Sequence, residues 1–207
     1  MQSKEFNPKQ ELPVMESFFT IQGEGAHSGR AAYFIRLAGC DVGCVWCDVK
    51  ESWDPSIHPL LSISALVENA VSSACGFVVI TGGEPAMYDI SELVNQLHAQ
   101  NIEVAIETSG CYPLNGDVDW YCFSPKKFKA PTEEAYQRAN ELKVVIAHIS
   151  DLAWAETLAQ KVNSNCKLYL QPEWSKQERF LKTIIDYVKE HPKWKISLQT
   201  HKFMNIP

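Results

Sequence analysis

No apolar run in the 207-residue chain approaches the ~20 residues that a membrane-spanning helix needs. The first thirteen residues, Met1 to Pro13, also lack the apolar core of a secretion signal. They are polar and mixed in charge, and the expected location is the cytoplasm. Positive charge is scarce: 19 Lys and Arg against 25 Asp and Glu leave a formal net charge of -6. Nucleic-acid binders draw affinity from neutralising phosphates with a basic face, so this balance argues against one. The small clusters Lys126, Lys127, Lys129 and Lys193, Lys195 do not reverse it. A disulfide framework is not expected either, because the seven cysteines are odd in number in a chain without an export signal. No linker or internal repeat is evident, and residues 1–207 are expected to form one domain.

What is present is alternation. β-rich apolar runs recur at Ala31 to Leu37, Phe77 to Ile80, Ile102 to Ile106, Trp120 to Phe123, Leu142 to Ala147, Lys167 to Leu170 and Ile196 to Leu198. Between them, Ser62 to Ala74, Ser91 to Ala99, Asp151 to Val162 and Ser175 to Glu190 carry the apolar spacing of helices with one buried face. Pro131 to Asn140 reads as a shorter helix with Glu133 and Glu134 in its first turn. Such alternation predicts an α/β fold with a mostly parallel sheet of six to seven strands and a ligand site beyond the strands' carboxyl ends. The link from Ile106 to Trp120 has no helical pattern, so one crossover helix is missing and an open, partial (β/α) barrel fits best.

Three of the cysteines fall in the loop after the first of these strands, with the spacing C-x3-C-x2-C: Cys40, Cys44 and Cys47. Thiolates are the natural ligands of iron–sulfur clusters. Three sulfurs on a four-iron cluster leave one iron for an external ligand, and an open position is where chemistry enters. A zinc site completed by Asp48, a histidine or another cysteine is the alternative, although no second C-x2-C pair exists. Three ordinary buried cysteines are the remaining reading. Cys75, Cys111, Cys122 and Cys166 read as structural, with a site role left open for Cys111, which adjoins Glu107-Thr-Ser-Gly110.

Polar groups follow several other strands: Thr81-Gly82-Gly83-Glu84-Pro85, Glu107-Thr-Ser-Gly110, Ser124-Pro125-Lys126 and Gln171-Pro172-Glu173-Trp174. Together they would surround one mouth, as a site gripping a polar cofactor requires. The cysteine spacing, with Trp46 before the last cysteine, and the Gly-Gly-Glu-Pro turn resemble the radical S-adenosylmethionine (SAM) superfamily. The resemblance implies a 4Fe–4S cluster whose open iron binds SAM, and reductive cleavage of SAM to an adenosyl radical.

The segment Phe18-Phe-Thr-Ile-Gln-Gly-Glu-Gly25, Arg36 before the cluster, and the terminal Gln199-Thr-His-Lys202 extend the likeness over nearly the whole chain. They resemble the 7-carboxy-7-deazaguanine synthase family. This implies conversion of 6-carboxy-5,6,7,8-tetrahydropterin to 7-carboxy-7-deazaguanine with loss of ammonia. It also implies an electron donor such as flavodoxin or ferredoxin, a homodimer and a magnesium ion, with residues 1–30 as an extension contributing to the substrate pocket. Carried over by motif, Cys40, Cys44 and Cys47 hold the cluster. Val45, Trp46, Asp48, Gly82, Gly83, Glu84, Ser124, Pro125, Lys126, Gln171, Pro172, Glu173 and Trp174 hold SAM. Ile21, Gln22, Gly23, Glu24, Arg36, Thr81, Glu107 and Pro207 contact the substrate. One position departs from the family. Val49 stands where a Thr or Ser hydroxyl usually binds magnesium, and its side chain has no oxygen, so a weaker need for magnesium is expected. The competing readings are a radical SAM activase, which makes a glycyl radical on a partner protein, and a non-catalytic zinc-binding module.

Overall fold

The computed structural model describes residues 10–207. The portion of the N-terminal extension before Gln10 lies outside the described residues. β1 (Glu11–Ile21) and β2 (Ala31–Leu37) form an antiparallel pair, and the short β3 (Leu60–Ser62) pairs with the other edge of β1. The parallel run follows: β4 (Phe77–Gly82), β5 (Glu103–Thr108), β6 (Trp120–Phe123), β7 (Glu141–Ile146), β8 (Lys167–Pro172) and β9 (Trp194–Ile196). The sheet has nine strands in the order β3-β1-β2-β4-β5-β6-β7-β8-β9. From β2 onward the strands stand in sequence order and are parallel, so the sheet is an open arc with no reversal point.

All seven expected strands have a counterpart, but β9 is displaced by two residues at both ends and shares only Ile196 with the expected run. The count of six to seven is corrected to nine by β1 and β3. The β1 sequence ELPVMESFFTI does not alternate cleanly, and a register shift between Val14 and Glu16 breaks its period of two. The helices are α1 (Ile63–Ser72), α2 (Ser91–Ala99), α3 (Glu133–Arg138), α4 (Asp151–Ala159), α5 (Gln177–Glu190) and a short α6 (Thr200–Met204) that the sequence pattern does not reveal. β5 and β6 are joined without a helix, as expected.

Strand register separates two faces. Ile35, Leu37, Val78, Ile80, Val104, Ile106, Phe123, Leu142, Val144 and Leu170 alternate onto one face and are fully or almost fully buried, in a core shared with Leu66 of α1, Leu93 of α2 and Ile184 of α5. The alternate positions are polar in their upper rows: Arg36 of β2, Thr81 of β4, Glu107 of β5, Ser124 just past β6, Lys143 of β7 and Gln171 of β8. A sheet with helices on only one face can leave the other for a ligand. Among the described residues, no helix is long and apolar enough to cross a membrane.

Residues 25–30 lie at the amino ends of the parallel strands. His27 packs between Phe77 and Trp120, Arg30 lies 3.8 Å over the Phe77 ring and pairs with Glu103 at 2.6 Å, and the Ala26 amide donates to Glu141 at 2.9 Å. This segment floors the concave side of the arc.

Ile106 is fully buried at the centre of the parallel run. Ile106→Ala should cost about 2–5 kcal/mol of unfolding free energy in urea titrations, while the exposed Lys182→Ala should stay within about 0.5 kcal/mol of the parent.

Candidate active site

Two backbone turns set where the cysteines lie. The Gly83 amide donates to the Leu37 carbonyl at 2.9 Å, and the Glu84 amide donates to Gly39 at 2.8 Å. A Cβ on Gly82, whose φ is +129°, would stand 2.0 Å from the Leu37 carbonyl oxygen. One on Gly83 would stand 2.3 Å from that of Gly39 and 2.9 Å from the Cys40 Cβ. The Gly-Gly pair therefore lets the end of β4 press against the start of the cysteine loop. Ion pairs reach the loop at both ends. Tyr112 Oη and Lys129 Nζ donate to Asp41 at 2.5 and 2.6 Å, and Lys202 of α6 donates to Asp48 at 2.6 Å.

Cys40, Cys44 and Cys47 line one wall of a pocket on the concave face, and Cys44 and Cys111 pack with Val42 behind them. Burial pushes the Cys44 thiol up to about 11 and raises that of Cys40. Ionising such thiols requires a compensating cation, which iron supplies on binding. Among the described residues, no group of three or more His, Cys, Asp or Glu is gathered tightly enough for one metal ion. Sulfurs that each bind a different iron of a cluster need not converge on one point, whereas zinc needs four ligands on one ion. The donor set fits an iron–sulfur cluster and argues against the zinc module.

The pocket also gathers Ile21, Gln22, Gly23, Glu24, Arg36, Trp46, Asp48, Val49, Thr81, Gly82, Gly83, Glu84, Glu107, Ser124, Lys126, Gln171, Pro172, Glu173, Trp174 and Pro207. Val45 and Pro125 lie off its wall: Val45 projects into solvent from the tight turn between Cys44 and Cys47. Two carboxylates expected to face the cofactor are engaged by the chain itself. Glu84 is almost fully buried and accepts from the Ala86 and Ser109 amides, at 3.1 and 2.8 Å, and from the Thr108 and Ser109 hydroxyls. It joins the ends of β4 and β5. Glu173 accepts from the Ser175 amide and hydroxyl and caps the turn beyond β8. Lys126 donates to the Ser124 carbonyl and, at 2.8 Å, to its hydroxyl, with its ammonium 5.8 Å from the Trp46 ring; burial pulls its pKa down.

The floor of the pocket is ionic. Lys143, at the third position of β7 and only 3 % exposed, donates to Glu24 at 2.5 Å and to Glu107 at 2.9 Å. Gln22 donates to Glu107 and Gln199 to Glu24, each at 2.8 Å. Burial pushes the Glu24 carboxyl up, but the Lys143 charge and hydrogen bonds from Lys143, Gln199 and Gln171 outweigh it and bring the pKa down to about 2. Behind this layer Glu141 accepts from Ala26, Trp120 and Cys122, and the Gly25 amide donates to Ser197, which donates to Gln171. At Gly25, with φ +62°, a Cβ would come within 2.2 Å of a Glu141 oxygen, so the turn carrying Glu24 sits hard against β7. Arg36 faces the same pocket with its Nε held by Glu16 at 2.7 Å.

Sequence reasoning passed over Lys143, Gln199 and His201 as site residues. The Lys143 signal was legible: in Glu-Leu-Lys-Val-Val-Ile the charged positions share one face of the strand. His201 packs onto Gly23, and burial lowers its pKa. α6 closes the rim through Lys202 and through Phe203 against Trp174 at 5.3 Å, and beyond it the Pro207 carbonyl accepts from the Thr20 hydroxyl at 3.3 Å.

Residues 34–150 match the family model of the radical SAM superfamily. A 7-carboxy-7-deazaguanine synthase of Flavobacterium psychrophilum is 56 % identical over 95 % of this chain and 93 % of its own, and one of Escherichia coli K12 is 33 % identical over 95 % and 99 %. The crystal structure of QueE from Escherichia coli superposes with a TM-score of 0.80 at 31 % identity, covering 91 % of this chain and 93 % of that one. With three free thiols beside a Gly-Gly turn and a lysine shared by two acids lining one pocket, the chain belongs to the 7-carboxy-7-deazaguanine synthase family of radical SAM enzymes.

Proposed function

We propose that the chain, acting as one catalytic domain, converts 6-carboxy-5,6,7,8-tetrahydropterin to 7-carboxy-7-deazaguanine with loss of ammonia. The observation that carries this reading is the polarity of the pocket. Acceptors Glu24 and Glu107 meet at Lys143, the cation Arg36 lines the pocket two strands from Glu107, and the thiols stand at the strands' carboxyl ends. The substrate has matching ends, a guanidine-like donor edge and a carboxylate. Glu24 and Glu107 accept from the donor edge. Arg36, oriented through its Nε by Glu16, turns its terminal nitrogens to the carboxylate. Cys40, Cys44 and Cys47 hold a 4Fe–4S cluster, and Trp46, Gly83, Ser124, Lys126, Gln171 and Trp174 surround SAM. When bound, the cluster and SAM supply hydrogen-atom abstraction at C6 of the pterin. The chain's own work is to aim C6 at that end of the pocket and to exclude water from it. Flavodoxin or ferredoxin is the proposed electron donor, and the enzyme is proposed to work as a homodimer in the cytoplasm.

An activase would need an opening for a partner's backbone. Here the floor segment and α6 narrow the pocket towards a small molecule, which favours the pterin reading.

Reconstituted protein given the carboxylated tetrahydropterin, SAM and dithionite under anaerobic conditions should form the deazaguanine acid, detected by mass; SAM cleavage without that product would refute the assignment. Gly83→Ala should fold yet retain less iron after reconstitution, because its Cβ displaces Gly39 and Cys40. Iron content and visible absorbance matching the parent would contradict that. With no side-chain oxygen at Val49, turnover should respond only weakly to magnesium, and Val49→Thr should steepen the response in a side-by-side titration.

A further inference from the structure

Lys143 is buried and shared by two acids, Glu107 from β5 and Glu24 from the segment that follows β1. We propose that Lys143 is a positioning residue that keeps Glu24 and Glu107 together as a pair of anionic acceptors, and so sets the preference of the pocket for a ligand edge with adjacent N–H donors. The inference rests on the reading of the floor as the pterin subsite and assigns it the source of its selectivity.

The geometry supports this role. Without a cation between them, two carboxylates close enough to share one ammonium repel each other, and a buried pair of that kind retains a proton. A protonated member would donate where the ligand must donate, and the match would be lost. Lys143 removes that outcome with contacts of 2.5 and 2.9 Å. The other groups facing it are Glu141 and Cys122 from the strands behind, with Lys126 higher in the pocket; His201 faces Glu24 and Glu107 from α6. Burial and Glu141 keep Cys122 a neutral thiol, so the lasting anions around Lys143 are carboxylates. Burial alone would pull Lys143 down, but Cys122, wherever it ionises, and the carboxylates Glu107, Glu24 and Glu141 raise it, and the ammonium stays charged across the neutral range. Gln22 and Gln199 add one amide donor to each acid, so each oxygen of both carboxylates takes a donor from the chain, within a capacity of about four lone-pair sites per carboxylate.

The probe is 7-carboxy-7-deazaguanine, which retains the donor edge, together with its analogue lacking the 2-amino group. Both are titrated calorimetrically into the full-length reconstituted protein between pH 5.5 and 8. The parent should prefer the amino-bearing acid by at least about tenfold, as a site built to hydrogen-bond a donor does, with a flat pH profile. Lys143→Met should lose that preference at pH 5.5 and regain part of it towards pH 8, as the orphaned carboxylates ionise. Lys143→Arg should restore the flat profile. His201 is present in every variant and cancels in the comparison. A merely structural role predicts equal loss for both ligands at every pH, and that result, or an unchanged Lys143→Met, would overturn the proposal. Should Lys143→Met fail to fold, carbon NMR of the parent decides: the Glu24 carboxyl, assigned with Glu24→Gln, should show no titration between pH 7 and 4, and a midpoint above pH 5 would overturn it. If the parent binds neither ligand, the pterin reading of the floor fails, while the NMR titration still tests the lysine.

Discussion

Between the ends of β2 and β4 there is no space for a Cβ, and the position of the cysteine loop follows from that. Gly82 and Gly83 place backbone directly on backbone, so the Leu37 and Gly39 carbonyls take amides from the following turn. Glu84 then leaves the turn inward and accepts from Thr108 and Ser109, linking the second and third parallel strands at the level of the thiols. One tight contact thus sets the exit of the cysteine loop, the spacing of β4 and β5, and the wall that faces the cofactor. The Glu of the Gly-Gly-Glu-Pro turn acts here through the protein's own donors, and what the pocket meets is mainly glycine backbone.

The opposite end follows another logic. Buried ion pairs seldom stabilise a fold more than apolar side chains of the same size, because desolvation consumes most of their attraction. Lys143 with Glu24 and Glu107 is therefore poorly explained as a stabilising device. It makes sense where the charges must meet a ligand. The residues behind it agree: Glu141, Ser197 and Gln171 hold the backbone of the turn that carries Glu24, and none of them projects a free charge of its own towards the pocket.

Much of this was legible in the sequence, for reasons that also explain what was not. The seven parallel strands are apolar on the helix-covered face and bounded by turn residues, so their positions could be read. β1 could not, since its bulge breaks the alternation and both its faces carry apolar residues. α6 is five residues long and is held by Gly23, Asp48 and Trp174, which are distant in sequence, so no local pattern announces it. In the pocket, five of the six inward polar residues could be read because each belongs to a motif at a strand end. Lys143 lies inside a strand, where a motif search does not look, although the alternation of β7 carried the information. Val45 shows the converse error: a place within a motif does not fix the direction of a side chain.

The two ends of the pocket are built from different parts of the chain, and this bears on how one sheet serves a demanding reaction. The thiols and the Gly-Gly turn lie in loops at the carboxyl ends of the strands, where the backbone can be shaped without disturbing the core. The floor uses side chains from β5 and β7 and a segment packed under the amino ends of the strands. A ligand held by the floor is therefore referenced to the rigid part of the sheet, while the reactive end is referenced to loops pinned by Asp41 and Asp48. On the proposed reading, the acid–lysine layer holds the donor edge of the ligand and the cysteine loop holds the cofactor, each fixed by its own set of contacts.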